Sequence, residues 1–375
     1  MTVNFWHRAP LLLALFALMT AGCERDKRPQ ATLESPRFSG QSGLPKVVVL
    51  TTGGTIATRQ DPTTHQPLPA LSGEQLIAAV PELGSIAQVG VQEVAQVGSA
   101  NMTPEIWQDL ARRTDFALAQ PDVTGVVITH GTDTLEETAF FLDLVTASTK
   151  PVVITGAQRM ASDPEPDGPR NLRDAVRAAV APEAAGKGAL VVMNGEINAA
   201  REVTKTSTVD LDAFKSLEQG PLGKVEGNSV RFTRTPMRAK TFIIDHDARL
   251  PRVEIVAHYA GADGWQIRNL LSGGFLHDAP HLDGIVIAAT GMGHVSAAMY
   301  DEIAKARNQG IPVVIATRVP RGPTMPRYHG KGLGSSLRDI GCIFVKDLSP
   351  QKARVLLMVA MMQTRDPNEL QKYFE

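Results

Sequence analysis

The chain has 375 residues, of which 43% are apolar and 21% charged, a globular composition that excludes an intrinsically disordered chain. The 38 Lys and Arg nearly balance the 39 Asp and Glu, and the net charge of −1 leaves no basic field for nucleic acid or an anionic membrane surface. The two cysteines are too few for a disulfide scaffold or a Cys-rich zinc module.

The first 22 residues have the pattern of a signal peptide. An apolar run over 9–19 follows His7 and Arg8, and it is shorter than the about 20 residues that span a bilayer. Small residues then precede Cys23, as in the bacterial lipobox, where the cysteine is lipidated and becomes the mature N-terminus. An ordinary cleaved signal with an incidental Cys23 is the alternative. Both interpretations predict export to the periplasm, and lipidation would add a membrane anchor.

Residues 23–45 are charged and then rich in Ser, Gly and Pro, without an apolar period. This pattern predicts a flexible tether.

Short runs rich in Val and Ile begin at Lys46 and recur along the chain, which is typical of buried parallel strands. They are KVVVL (46–50), GVVIT (125–129), PVVIT (151–155), ALVVM (189–193), VEIVA (253–257), GIVIA (284–288) and PVVIA (312–316). Helices are predicted between most of them, at 104–110 after a Thr103 cap and at 136–144, 171–180, 296–308 and 350–364. The alternation predicts an α/β fold with mostly parallel sheets.

Two segments interrupt this rhythm. Residues 89–97 alternate in polarity and predict a half-exposed strand, whereas 220–252 predict a hairpin followed by an interdomain linker. We therefore predict a larger N-terminal α/β domain over 46–235, a linker over 236–252 and a smaller C-terminal α/β domain over 253–375.

The loops that follow four strands are candidates for the functional site, because ligands bind at the carboxyl ends of parallel strands. They are TTGGT (51–55), GSAN (98–101), HGTDT (130–134) and GAQ (156–158). Glycines allow backbone N–H groups to approach a substrate oxygen, and threonine hydroxyls supply nucleophiles. Lys205 is predicted to approach Thr132 and Asp133, and such a set can act as a proton relay. Each loop alone is more often a turn or helix cap, so spacing does not identify the reaction.

Several motifs resemble the bacterial type II L-asparaginases over essentially all of 46–375. They are TTGGTIA (51–57), ITHGTDTLEETAFFLDL (128–144), DGPRNLRDAV (167–176), VVMN (191–194), REVTKTST (201–208), FKSLEQGPLG (214–223) and SPQKARVLL (349–357). The resemblance implies an amidohydrolase that attacks the side-chain amide of Asn, or of Gln, through a threonine ester. By position, Thr55 is the implied nucleophile, and Thr132, Asp133 and Lys205 form the second catalytic set.

The resemblance also implies how the substrate is bound. Ser99 would hold its α-carboxylate and Asp133 its ammonium, while the loop backbones at Gly54 and Gly131 would line the site. The oxyanion would rest on Thr132 and nearby N–H groups. The resemblance further implies a tetramer built from tight dimers, in which the C-terminal domain of a neighbouring subunit completes each site. No cofactor is implied, and the spacing of the nine histidines predicts no metal.

The chain departs from the family at the positions that bind the amine. Residues 58–72 lack the family's lid tyrosine, and Ala100 replaces a Gln or Glu. His294 stands where the neighbour's Asn or Ser is expected, and 318–338 is basic without an acid. These changes predict weak binding of free L-Asn and a substrate with a masked or absent ammonium. A shifted loop that brings in Glu302 or Asp339 is the alternative.

Two other functions remain open from the sequence. A glutaminase–asparaginase is one, and a non-catalytic ligand-binding lipoprotein on a tether is the other. The presence of Thr55, Thr132, Asp133 and Lys205 together favours the enzyme, because binding alone does not need a lysine beside a threonine. His130 is predicted to orient its loop, and the absence of a Gly-x-Ser-x-Gly motif excludes a serine α/β-hydrolase.

Overall fold

The computed structural model describes residues 33–375 except 62, 65, 70, 239 and 274–280. The predicted signal peptide and Cys23 lie outside these described residues. The chain divides into residues 1–34 and a compact unit over 35–375. Among the described residues, every helix is too short or too polar to cross a bilayer.

Strands and helices alternate along the described residues. In chain order the strands are β1 (Phe38–Ser39), β2 (Lys46–Thr51), β3 (Thr58–Gln60), β4 (Pro67–Pro69), β5 (Gln88–Glu93), β6 (Val123–Thr129), β7 (Val152–Thr155), β8 (Ala189–Met193), β9 (Glu196–Ala199), β10 (Val203–Lys205), β11 (Phe214–Ser216), β12 (Gly223–Glu226), β13 (Ser229–Phe232), β14 (Val253–Ala257), β15 (Gly284–Ala289), β16 (Val313–Thr317) and β17 (Ile343–Phe344). The helices are α1 (Gly73–Ala78), α2 (Pro104–Ala119), α3 (Leu135–Val145), α4 (Gly168–Val180), α5 (Trp265–Leu271), α6 (Ala297–Asn308), α7 (Gly334–Asp339), α8 (Pro350–Ala360) and α9 (Pro367–Gln371).

The strands form a large N-terminal sheet and a smaller C-terminal one. The large sheet has the order β1-β5-β2-β6-β7-β8-β9-β12-β13, and its centre from β5 to β8 is parallel. The C-terminal sheet, β14-β15-β16-β17, is parallel throughout. The predicted α/β fold with a larger and a smaller domain is therefore confirmed.

Burial on both faces explains why the central strands read as continuous apolar runs. In β2, Val47, Val48, Val49 and Leu50 are all fully buried. Because successive strand residues point to opposite faces, Val48 and Leu50 join the core cluster of α2 and α3, whereas Val47 and Val49 join that of α4. The main sheet is therefore a central layer between helices.

Of the predicted tether over 23–45, the structure describes residues 33–45 and corrects this end. Phe38 and Ser39 form β1, which pairs with β5 in antiparallel orientation at the sheet edge. The Phe38 ring also lies under Lys46 Nζ, 4.9 Å from the ring centroid. The end of the predicted tether is thus part of the folded domain, and the pairing is too short to give a periodic signal in the sequence.

A second feature that was not predicted from the sequence lies between the 189–193 strand and Lys205. A hairpin of β8 and β9 intervenes, with Asn194 and Gly195 both at positive φ in its turn. Asn-Gly is the strongest short sequence signal for such a two-residue turn, so it was available in the sequence.

Candidate active site

The four candidate loops come together because their strands are neighbours. The strands β5, β2, β6 and β7 lie side by side and parallel, so their carboxyl ends share one edge of the sheet. Backbone bonds continue past the strand ends, since Thr52 N donates to Thr129 O at 3.1 Å and His130 N donates to Thr155 O at 2.9 Å. The loops are therefore fixed relative to one another.

Glycines allow three of these loops to touch. Gly54 has a φ of +86°, and a Cβ built on it would lie 2.4 Å from Gly131 Cα. A Cβ on Gly131 would in turn lie 2.8 Å from Ser99 Oγ. Thr55 and Thr132 each follow one of these glycines, so the predicted nucleophile and the predicted second set lie in directly contacting loops.

Thr55 begins a single turn of 3-10 helix over Thr55–Ala57 and is half-buried. The turn is closed by two bonds to the Gly54 carbonyl, from Ala57 N and from Thr58 Oγ1, both at 2.9 Å. These bonds fix the backbone of Thr55 while leaving its side chain at the sheet edge.

Lys205 reaches Thr132 and Asp133 as the sequence predicted. Its Nζ lies 2.7 Å from Thr132 Oγ1 and 2.8 Å from Asp133 Oδ1. The lysine side chain is 16% exposed and that of Asp133 is 69% exposed, so the carboxylate faces solvent while the amine lies inside the site. The arrangement can move a proton between the amine and the threonine hydroxyl.

Two buried charged residues hold the backbone of Lys205 in place. Glu136, at the start of α3, accepts the Lys205 N–H with its Oε2 at 2.7 Å. Lys352, from α8 of the C-terminal domain, donates to Val203 O and, at 3.0 Å, to Arg201 O. Burial lowers the pKa of Lys352 to about 8. The C-terminal domain therefore helps to position Lys205, a contact that the sequence did not predict.

Ser99 is buried and linked to the loop that carries Asp133. Asp133 N donates to Ser99 Oγ at 3.1 Å, and Thr134 Oγ1 donates to Ser99 O at 2.7 Å. Ala100 follows in the same short 3-10 helix and is exposed. Its methyl group offers no hydrogen bond to a substrate at this position.

His130 is fully buried behind Thr132, within a directed chain of hydrogen bonds. Trp107 Nε1 donates to Thr138 Oγ1 at 2.8 Å, and that hydroxyl lies 2.9 Å from His130 Nε2. His130 Nδ1 lies 2.7 Å from Gly131 O. Because the indole only donates and the carbonyl only accepts, the imidazole is neutral and carries its hydrogen on Nδ1. Burial lowers its pKa to about 4, which supports an orienting role.

Gln158 is a residue of the site that sequence reasoning passed over. Thr132 Oγ1 donates to Gln158 Oε1 at 3.1 Å, and Gln158 Nε2 donates to Asp210 O at 3.0 Å. The Gln158 backbone N donates to both carboxylate oxygens of Asp167 at 3.1 Å. Its place directly after β7, in the GAQ loop, was the available signal.

His294 belongs to the C-terminal domain. Its backbone forms a β-bridge with Thr290, and its ring meets the edge of Tyr328 at a centroid distance of 5.3 Å. Within the described residues of this single chain, no hydrogen bond joins His294 to Thr55 or Thr132. In the described part of the chain, no cluster of three or more His, Cys, Asp or Glu could hold a metal ion.

The two acids considered as substitutes for the missing amine contact both have partners. The Glu302 side chain is only 4% exposed and pairs with Arg268 and Lys305, each at 2.9 Å. Asp339 lies 3.3 Å from Arg338 in the basic 318–338 segment. Neither carboxylate is therefore free of a cation.

Comparison with known proteins identifies relatives that match both domains. The family model for the asparaginase N-terminal domain matches residues 46–238, and that for the glutaminase/asparaginase C-terminal domain matches 252–374. The chain is 40% identical to an L-asparaginase 2 of Escherichia coli, over 90% of this chain and 95% of that protein. It is 36% identical to a glutaminase-asparaginase of Pseudomonas aeruginosa, over 98% and 97% of the two chains.

A crystal structure of a probable cytoplasmic L-asparaginase from Campylobacter jejuni superposes with a TM-score of 0.79 at 36% identity, covering 88% of this chain and 99% of that one. Both family models and the full-length relatives thus span the two domains described above. The chain belongs to the asparaginase family.

Proposed function

We propose that the protein hydrolyses the side-chain amide of an asparagine-type substrate to the acid and ammonia through a threonine ester. The observation that carries the proposal is the position of Lys205 Nζ, 2.7 Å from Thr132 Oγ1 and 2.8 Å from Asp133 Oδ1. A site that only binds a ligand has no need of an amine aimed at a hydroxyl group.

The reaction begins with attack of Thr55 Oγ on the amide carbon. The threonine proton passes to the amide nitrogen, the C–N bond breaks, and ammonia leaves. Thr132 and backbone N–H groups of the touching loops stabilise the oxyanion. Water then adds to the ester carbon, with the Thr132–Lys205–Asp133 set accepting its proton. The ester bond to Thr55 breaks, and the proton returns to the threonine.

The binding contacts favour an amide whose α-ammonium is masked or absent. Ser99 receives the carboxylate and Asp133 the amine, but Ala100 makes no side-chain bond and Glu302 is already paired with Arg268. A charge-assisted hydrogen bond contributes about 1.5–3 kcal/mol, so losing two would cost about 3–6 kcal/mol, or two to four decades in affinity. Free L-Asn and L-Gln are then poor substrates compared with succinamate or N-acetyl-Asn.

The proposal extends to assembly and location. The protein is exported, anchored by lipid at Cys23, and forms a homotetramer in which a neighbour's C-terminal domain, with its His294, closes each site. Sedimentation analysis tests the assembly, because an active monomer would contradict a shared site.

Ammonia release from a panel of amides tests the function. The panel contains L-Asn, D-Asn, L-Gln, succinamate and N-acetyl-Asn, with Thr55→Ala as the inactive variant and exposed Thr149→Ala as its matched control. We expect release by the wild-type protein and the control only. No release from any amide would favour a non-catalytic binding protein. Saturation of the enzyme by micromolar L-Asn that outcompetes both succinamate and N-acetyl-Asn would contradict the proposed preference for a substrate with a masked or absent ammonium.

A further inference from the structure

The hydrogen bonds around Gln158 have only one possible direction. The Asp210 carbonyl only accepts, so the amide NH₂ of Gln158 must face it, at 3.0 Å. The amide oxygen then faces Thr132 Oγ1 at 3.1 Å and must accept the hydroxyl hydrogen. Lys205 Nζ lies 2.7 Å from Thr132 Oγ1 and donates to this hydroxyl oxygen. The hydrogen bonds are therefore donated from Lys205 to Thr132 and from Thr132 to Gln158.

This direction is opposite to the one that the relay needs. To pass a proton, Thr132 must turn its hydrogen towards an uncharged Lys205 amine, and it then leaves the oxygen of Gln158 without a donor. Gln158 therefore stabilises the arrangement with a charged lysine relative to the arrangement that can react.

Other charged groups surround the pair and are the same in both arrangements. Asp133 Oδ1 contacts Lys205 Nζ, and Glu136 from α3 accepts the Lys205 backbone N–H. Lys352 from α8 donates to the carbonyls of Val203 in β10 and of Arg201 just before this strand. On the Gln158 side, Asp167 before α4 holds the backbone N–H. None of these groups contacts the Thr132 hydroxyl through a side-chain hydrogen bond, so among the residues that the structure describes only Gln158 opposes Lys205 there.

We propose that Gln158 is a positioning residue that sets the direction of the Thr132 hydroxyl and thereby the pH at which the relay becomes active. The inference rests on the proposed function, because it concerns the same threonine and lysine. It assigns to Gln158, a half-buried residue after β7, a role in tuning the reaction.

The test compares two substitutions of opposite effect. Gln158→Met removes the acceptor at similar volume, whereas Gln158→Glu keeps an acceptor and adds negative charge near Lys205. Both lose the bond to Asp210, so any effect of that bond is common to the two variants. We expect the acid limb of the pH profile of kcat/KM to move to lower pH in Gln158→Met and to higher pH in Gln158→Glu. One net hydrogen bond corresponds to about fivefold, or about 0.7 pH unit.

A structural role alone would scale kcat/KM by a constant factor and leave both limbs unmoved, and this result would overturn the inference. Shifts in the same direction in both variants would also overturn it. If Gln158→Met fails to fold, Gln158→Leu replaces it in the comparison. An active wild type with unmoved limbs refutes this inference alone, whereas a wild type that releases no ammonia refutes the proposed function as well.

Discussion

Acidification should destabilise the protein through His130. The folded protein holds this imidazole neutral, because Nε2 accepts from Thr138, whose oxygen already accepts from Trp107. If Nε2 were protonated, the Thr138 oxygen would meet hydrogens from Trp107 and from His130 besides its own. The hydroxyl hydrogen would then lose Nε2 as its acceptor. Burial of the ring also opposes the charge, and both effects act directly behind the peptide of Gly131 and Thr132.

The magnitude follows from the pKa of His130, which burial lowers from 6.5 to about 4. Between these values the unfolded chain binds a proton and the folded protein does not, so the free energy of unfolding falls as the pH decreases from 6.5 towards 4. The contribution is fully present above pH 6.5. At 1.36 kcal/mol per pH unit, its complete loss amounts to about 3 kcal/mol, of which about 2 kcal/mol is lost by pH 5.

Urea unfolding between pH 5 and 7.5, at one protein concentration, measures the effect. His130→Gln serves as the matched variant, since its amide can donate and accept but does not titrate. We expect the wild type to lose about 2 kcal/mol more than the variant on going from pH 7 to 5. Parallel pH dependences of the two proteins would refute the assignment of a neutral buried imidazole.

Three further substitutions test the site and its supports. Gly54→Ala places a Cβ 2.4 Å from the Gly131 backbone, so we expect a loss of ammonia release of at least tenfold, whereas Gly43→Ala, with a similar φ of +87° and open space, should cost only stability. Equal activity losses in both would contradict the close loop packing. Lys352→Met leaves two carbonyls without their donor, at about 1–3 kcal/mol each, and we expect a lower thermal midpoint and a lower kcat. Unchanged kcat would show that the C-terminal domain does not position the site. Ala100→Gln should lower KM for L-Asn by about tenfold and leave KM for succinamate unchanged. Equal effects on both substrates would argue against an amine contact.

The fold could be predicted well because burial on both faces requires apolar residues along the central strands. Val47 to Leu50 are apolar without interruption since both faces of β2 are covered, and Thr103 caps α2 by accepting from Ile106 N as predicted. The pairing of β1 with β5 could not be predicted, because two residues at a sheet edge carry no period. Its stabilisation comes from β5, which lies about fifty residues further along the chain.

The site was predicted only in part, because some of its contacts join residues that are far apart in the sequence. Thr132 and Asp133 follow a strand directly, so the rule for strand ends finds them. Lys205 is separated by 73 residues from Thr132, and the supporting bond from Lys352 to Val203 O, two residues before Lys205, spans the two domains. The family resemblance indicated Lys205, and the rule for strand ends included the loop of Gln158 without giving that residue a role. Only three-dimensional packing shows that Gln158 contacts Thr132 and that Lys352 supports the strand of Lys205.

The proposed function depends above all on the formation of a covalent ester at Thr55. It is tested most directly by trapping the protein with a reactive amide analogue, denaturing it, and locating the added mass by peptide mass spectrometry. We expect one adduct per chain on the peptide that contains Thr55, and no adduct in Thr55→Ala. An adduct on Thr132 instead would contradict the assignment of the nucleophile and reverse the roles of the two threonines.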